Sequence, residues 1–158
     1  MTSLIVLLGN DSSSLLALHE LCRNAGYRSL RCRPLEVTDV HAVVKHAEAD
    51  LVILDLWSAG HADGWTCLRR LRADRDTAHI PTIIVTGETE APPIEVGLLQ
   101  TKHCQRITKP VNTWVLLHTI KGALGHASER GARDNARGGV VSGMVVTDHL
   151  LAADGGEA

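Results

Sequence analysis

Four polar residues stand at or just past the ends of four short runs, three of them apolar. Asp11 follows Leu4-Ile5-Val6-Leu7-Leu8, and Asp55 follows Leu51-Val52-Ile53-Leu54. Thr86 closes Ile83-Ile84-Val85, and Lys109 follows Arg106-Ile107-Thr108. Two carboxylates brought close together repel each other unless a cation lies between them. Mg²⁺ suits such a pair, because it is a hard ion held by one or two carboxylates while keeping several waters. An aspartate at the end of a buried strand is also a candidate nucleophile toward a phosphoryl group. Lys109 and the cation would neutralise the phosphoryl oxygens, and Thr86 would donate a hydrogen bond to one of them. Gly87 would leave room for the group to approach. Taken singly, each residue has a plainer reading: Asp11 as a helix N-cap, Asp55 and Thr86 as turn residues, Lys109 as a surface charge. Their joint placement at four strand ends favours the chemical reading.

Such placement needs a particular set of elements. Leu4–Leu8 is a continuous apolar run, as expected of a strand buried on both faces. Gly9-Asn10-Asp11-Ser12 reads as a turn into a helix with Leu15, Leu18, Cys22 and Ala25 on one face, ended by Gly26. Tyr27–Cys32 is a short second strand. Val40, Val43, Val44 and Ala47 then mark a helix. Leu51–Leu54 is a third strand, closed by Asp55. A loop over residues 56–63 leads to Gly64 and a helix with Leu68 and Leu71 inward. Ile80-Pro81-Thr82 opens a fourth strand. A weak helical region over 92–103 follows, led by Pro92-Pro93. Arg106–Thr108 is a fifth strand, and Leu116, Leu117, Ile120 and Leu124 mark a last helix. Strands alternating with helices imply an α/β fold: a doubly wound, five-stranded parallel sheet whose ligands sit at the carboxyl ends of the strands.

Composition agrees with one such domain. The chain has 158 residues, 44% hydrophobic and 22% charged, close to a globular average, which excludes a disordered protein. With 16 basic and 18 acidic side chains the net charge is −2. That is too weak to predict attraction to nucleic acid or to a membrane surface. No apolar run approaches the roughly 20 residues that span a bilayer. The N-terminus lacks a basic region and a cleavage site, so no signal peptide is expected. Cys22, Cys32, Cys67 and Cys104 form no CxxC pair and read as thiols in a reducing cytoplasm. With no Phe and one Tyr, the core must be built from Leu, Val, Ile and Ala. Composition changes near Leu124. Residues 1–124 read as the domain, and residues 125–158, rich in Gly, Ala and Arg, as a flexible tail. A small hairpin at Val140–Val146 is the alternative there.

The stretches Ile5–Asp11, Asp50–Asp55, Asp63-Gly64, Ile80–Gly87 and Thr108-Lys109-Pro110 stand in an order and spacing that resembles a response-regulator receiver domain, the phosphoacceptor module of two-component signalling. The resemblance covers about residues 3–124. It implies a flavodoxin-like sheet in the order 2-1-3-4-5. It implies that a histidine kinase or phosphotransfer protein passes phosphate to Asp55. It further implies Mg²⁺ held by Asp11, Asp55, the backbone carbonyl of Trp57 and, through water, Asn10. Thr86 would be the switch residue and Lys109 the phosphate sensor, followed by a cis Lys109-Pro110 bond in a tight turn. Self-catalysed phosphoryl transfer and slow autodephosphorylation would be the only reactions. A downstream protein would read the signal, with homodimer formation left open.

Several positions depart from the family pattern. Asn10 stands where a first acid is usual, which predicts weaker Mg²⁺ binding. Arg106 stands where an aromatic switch is usual and is expected exposed or paired with a carboxylate such as Glu88. Trp57 would border the phosphoryl group and shield it from water. The loop after Asp55 is one residue longer than is common, and Pro92-Pro93 replaces a normal fourth helix. The alternatives are a pseudo-receiver, an interaction module with a weakened site, and a phosphohydrolase. The last lacks a second acid at position 57. The remaining candidates are weak. His41 and His46 are five apart on a helix and share no face, and His103-Cys104 has no partner pair. Arg69, Arg70, Arg72 and Arg75 read as a solvated basic face without aromatics to stack on bases.

Overall fold

A computed structural model describes residues 2–33, 39–56, 62–87, 97 and 100–137. The chain runs β1 (Leu4–Gly9), α1 (Ser12–Asn24), β2 (Arg28–Cys32), α2 (Val40–His46), β3 (Leu51–Leu56), α3 (Ala62–Ala73), β4 (Thr82–Thr86), β5 (Cys104–Thr108) and α4 (Thr113–Arg137). The five strands form one sheet in the order β2-β1-β3-β4-β5, and every neighbouring pair is parallel. This is the doubly wound arrangement expected from the alternation of apolar runs and helical patterns.

The three inner strands, β1, β3 and β4, are buried on both faces and carry no polar alternation, whereas the edge strands β2 and β5 include exposed residues such as Arg28 and Gln105. One face presents Val6, Leu8, Val52, Leu54 and Ile84 to Val44 of α2 and Leu68 and Leu71 of α3. The other presents Ile5, Leu7, Ile53, Ile83 and Val85 to Leu15, Leu18 and Cys22 of α1 and to Leu116 and Ile120 of α4. Burial pushes the thiols of Cys22 and Cys104 up to about 11. None of the four cysteines is in a disulfide.

Several boundaries differ from expectation. Gly9 is the last residue of β1 rather than the first of a turn, and Asp55 lies inside β3 rather than after it. Strand β2 starts one residue late, at Arg28, and β5 two residues early, at Cys104. Helix α3 begins at Ala62, before Gly64. The change of composition at Leu124 does not end the last helix, which runs on to Arg137. Its added turns contain Ala, Arg, Ser and Glu, which sustain a helix without needing a core. Residues 138–158, including the Val140–Val146 segment, lie outside the described residues. So do residues 92–96, 98 and 99 of the weak 92–103 helical region.

Two histidines are structural. His19 is buried, with Nδ1 2.7 Å from Ser29 Oγ, a satisfied core histidine linking α1 to β2. His41 on α2 has Nε2 3.0 Å from Asp74 Oδ2, just past α3. Lys45 joins the same group, with Nζ 2.5 Å from Asp76 Oδ2 and 3.9 Å from Asp74 Oδ2.

The Asp76 backbone N–H donates to Asp74 Oδ1 at 2.8 Å. That bond, with Lys45 and His41, holds the Asp74 carboxyl below its ordinary value of 3.8. A carboxyl lowered on folding stabilises the fold above its unfolded pKa and loses that effect as pH falls through the folded one. Asp74→Asn should therefore lower the thermal midpoint modestly at neutral pH. The two proteins should converge in acid, at pH values below the ordinary carboxylate range. Equal midpoints at pH 7 would show that the cluster is energetically idle, as many exposed ion pairs are.

Candidate functional site

The carboxyl ends of β1, β3, β4 and β5 bring the sequence candidates to one edge of the sheet. Asp55 is carried by β3, with Gly9 of β1 opposite it on one side and Val85 of β4 on the other. Central position in a parallel sheet explains its burial: the residue is 4% exposed. A lone carboxylate so buried would be costly. Lys109 answers it, with Nζ 2.5 Å from Asp55 Oδ1. The lysine is placed by its own backbone, whose N–H donates to Thr86 O at 2.8 Å across the β4–β5 edge. The bond to Pro110 is cis, as expected. Thr86 is buried beside them at the end of β4.

Asp11 is half-buried between β1 and α1. It is also the N-cap of α1, its Oδ1 accepting from Ser13 N at 2.9 Å and Ser14 N at 3.4 Å. The plainer reading of Asp11 is thus correct for one of its oxygens, and the two roles are compatible, since Oδ2 is not used by the cap. Asn10 has a buried Oδ1 with no hydrogen-bond partner among the described residues. Asp55 Oδ2 is in the same condition. Buried polar oxygens are nearly always satisfied, so this pair of orphans is informative: both are hard oxygen donors at the rim formed by β1 and β3.

These oxygens fit Mg²⁺, which prefers few protein oxygens and retained water. Asp55 and Asp11 would supply the carboxylates, with Asn10 contributing through water. Among the described residues the site has two acids, and no three His, Cys, Asp or Glu side chains group to hold a metal. Trp57 and Glu88 lie outside the described residues. Arg106 is half-buried on β5.

Two residues carry more of the arrangement than the sequence suggested. Gly9 faces Asp55 so closely that a Cβ there would come within 3.0 Å of Asp55 Cβ and 3.2 Å of Asp55 O. The available signal was a glycine at the end of an otherwise apolar run. Arg72 corrects the reading of a solvated basic face. Arg69, Arg70 and Arg75 are exposed, but the Arg72 guanidinium turns under the opposite end of the sheet. It donates to Thr82 Oγ1 at 2.6 Å, Ala78 O at 3.2 Å and His103 O at 3.3 Å. Burial lowers its pKa.

No family model and no curated protein matches the sequence. The fold, however, has many solved counterparts. The chemotaxis protein CheY4 of Vibrio cholerae superposes with a TM-score of 0.64 at 18% identity, over 78% of this chain and 99% of that one. The signal receiver domain of a LuxO repressor protein from Vibrio parahaemolyticus gives 0.65 at 21% identity, over 88% and 100%. The receiver domain of a sensor histidine kinase from Pseudomonas aeruginosa gives 0.59 at 22% identity, over 79% and 99%; that structure holds a magnesium ion in its active-site cleft.

The sheet order and these superpositions define the class: the chain has the fold of CheY-like response-regulator receiver domains. No helix among the described residues is long and apolar enough to cross a membrane.

Proposed function

We propose that this chain is a two-component receiver whose Asp55 accepts a phosphoryl group from the phosphohistidine of a histidine kinase or phosphotransfer protein. The observation that carries this reading is Asp55 itself. It is a buried carboxylate at a strand end, paired through Oδ1 with Lys109, with Oδ2 unpartnered. A carboxylate oxygen attacks phosphorus, the phosphorus–nitrogen bond breaks, and the electron pair leaves with the imidazole. Lys109 then lies against the new phosphoryl oxygens, and Thr86 is within the same strand edge to donate to one of them. When bound, Mg²⁺ would supply the remaining charge neutralisation. Water attack on phosphorus later breaks the bond to the Asp55 oxygen, releasing inorganic phosphate and restoring the carboxylate. The chain catalyses its own phosphorylation and slow dephosphorylation, acts in the cytoplasm, and signals by protein contact.

A second reading has its own support. Asn10 in place of an acid, and Asp11 partly engaged as a cap, favour a pseudo-receiver with a weakened site. Incubation with acetyl phosphate and Mg²⁺, followed by intact mass, separates the two. The expected result is one phosphoryl adduct on the wild type and none on Asp55→Asn. No adduct on the wild type would overturn the phosphoacceptor reading in favour of the pseudo-receiver. Continuous release of phosphate would make the protein a hydrolase.

Asn10→Asp should tighten Mg²⁺ binding by roughly tenfold or more in a titration. One added charge about 4 Å from a divalent cation contributes roughly 2 kcal/mol at the dielectric of water, and more where the local dielectric is lower. An unchanged affinity would mean that residue 10 does not face the cation.

A further inference from the structure

We propose that Gly9 is a positioning residue for Asp55: its missing side chain sets how the phosphoacceptor carboxylate seats against Lys109. The inference rests on the reading of Asp55 as phosphoacceptor. Gly9 and Asp55 are register partners on adjacent parallel strands. A Cβ on residue 9 would meet Asp55 Cβ at 3.0 Å, Asp55 O at 3.2 Å and Leu15 Cδ2 at 3.2 Å.

Two of those three atoms cannot step aside by a rotamer change. Asp55 Cβ and the Asp55 carbonyl move only with the backbone, and that backbone is held between β1 and β4. A conformational reason for glycine is absent, since Gly9 is a strand residue outside the positive-φ positions. Its role is therefore close approach. An added methyl would push the Cβ of Asp55 away by a few tenths of an ångström. The carboxylate would carry that shift to its contact with Lys109 and to the unpartnered Oδ2. Phosphoryl transfer depends steeply on such geometry, and a misplacement of about 1 Å can cost a hundredfold. A shift of this smaller size corresponds to about tenfold.

The test compares Gly9→Ala, Leu15→Ala and the double variant Gly9→Ala/Leu15→Ala with the wild type. Labelling by acetyl phosphate is timed at a temperature where each protein is folded, and the carbon-13 resonance of the Asp55 carboxyl is recorded without phosphodonor. Gly9→Ala should label about tenfold more slowly, with a displaced Asp55 resonance. Leu15→Ala, which opens the core at the same spot without touching Asp55, should lose thermal stability while keeping the wild-type rate and resonance. The double variant relieves the Leu15 contact and leaves the Asp55 contact. It should remain slow at a temperature where it is folded.

A double variant that labels at the wild-type rate would overturn the proposal, because the methyl would then act only through Leu15. So would an unmoved Asp55 resonance, whatever the stability. A wild type that takes no phosphoryl group overturns the phosphoacceptor reading and the role of Gly9 with it.

Discussion

Lys109→Met, measured without divalent cations, is expected to lower unfolding stability by about 3 kcal/mol. Removing one partner of a buried ion pair leaves the other charge uncompensated, and that costs roughly 3–5 kcal/mol. Here the abandoned partner is Asp55, whose side chain is 1% exposed, against 11% for Lys109. The double variant Asp55→Asn/Lys109→Met should recover most of the loss, since a neutral amide beside a thioether leaves no buried charge. Urea denaturation of the wild type, Asp55→Asn, Lys109→Met and the double variant gives the coupling directly. A Lys109→Met protein as stable as the wild type would mean that water, rather than the lysine, compensates Asp55. A large coupling would show that one pair serves both the resting fold and the proposed chemistry.

The second large effect lies at the opposite end of the sheet. Arg72→Leu should cost about 2–4 kcal/mol, at about 1.5–3 kcal/mol for a hydrogen bond to a charged group when its partners stay buried. The guanidinium ties α3 to the chain before β4 through Ala78 O, to β4 itself through Thr82 Oγ1, and to the residue before β5 through His103 O. Thr82 is 1% exposed, so water does not replace the lost donor without rearrangement. Arg72→Lys should recover little, because an ammonium cannot span several acceptors in the fork geometry of a guanidinium. The unfolding midpoint in urea measures both. A Lys variant equal to the wild type would show that charge alone matters there.

Much of the fold was legible because buried parallel strands have an unmistakable signature. Leu4–Leu8, Leu51–Leu54 and Ile83–Val85 are apolar on consecutive positions, and only a sheet covered on both faces tolerates that. Strand β5 was read two residues short because Cys104 and Gln105 do not continue an apolar run, although Cys104 is buried. The site candidates were legible as strand ends, and Asp55 and Lys109 do meet. Arg72 was not legible. A single arginine among four on one helix carries no mark of burial. Its acceptors come from residues as far as His103, brought near only by the crossover between β4 and β5. Gly9 was visible but misplaced, since a glycine after an apolar run looks like a turn until the register sets it against Asp55.

Helix α4 has 25 residues, about 37 Å at 1.5 Å per residue. The strands it covers have five or six, or about 17–20 Å. Among the described side chains its last buried core residue is Ala123, with Leu124 half-buried against the same cluster. Beyond it the backbone continues through Gly125 and Gly131, each costing a helix about 1 kcal/mol relative to alanine. In hydrogen-exchange terms, one helix therefore keeps two clocks. Amides near Leu116 and Ile120 open only with the core, whereas those toward Arg137 open by local fraying. A tug on the far end of α4 is absorbed within its last turns, short of the packed half that lies against Ile53, Ile83 and Val85.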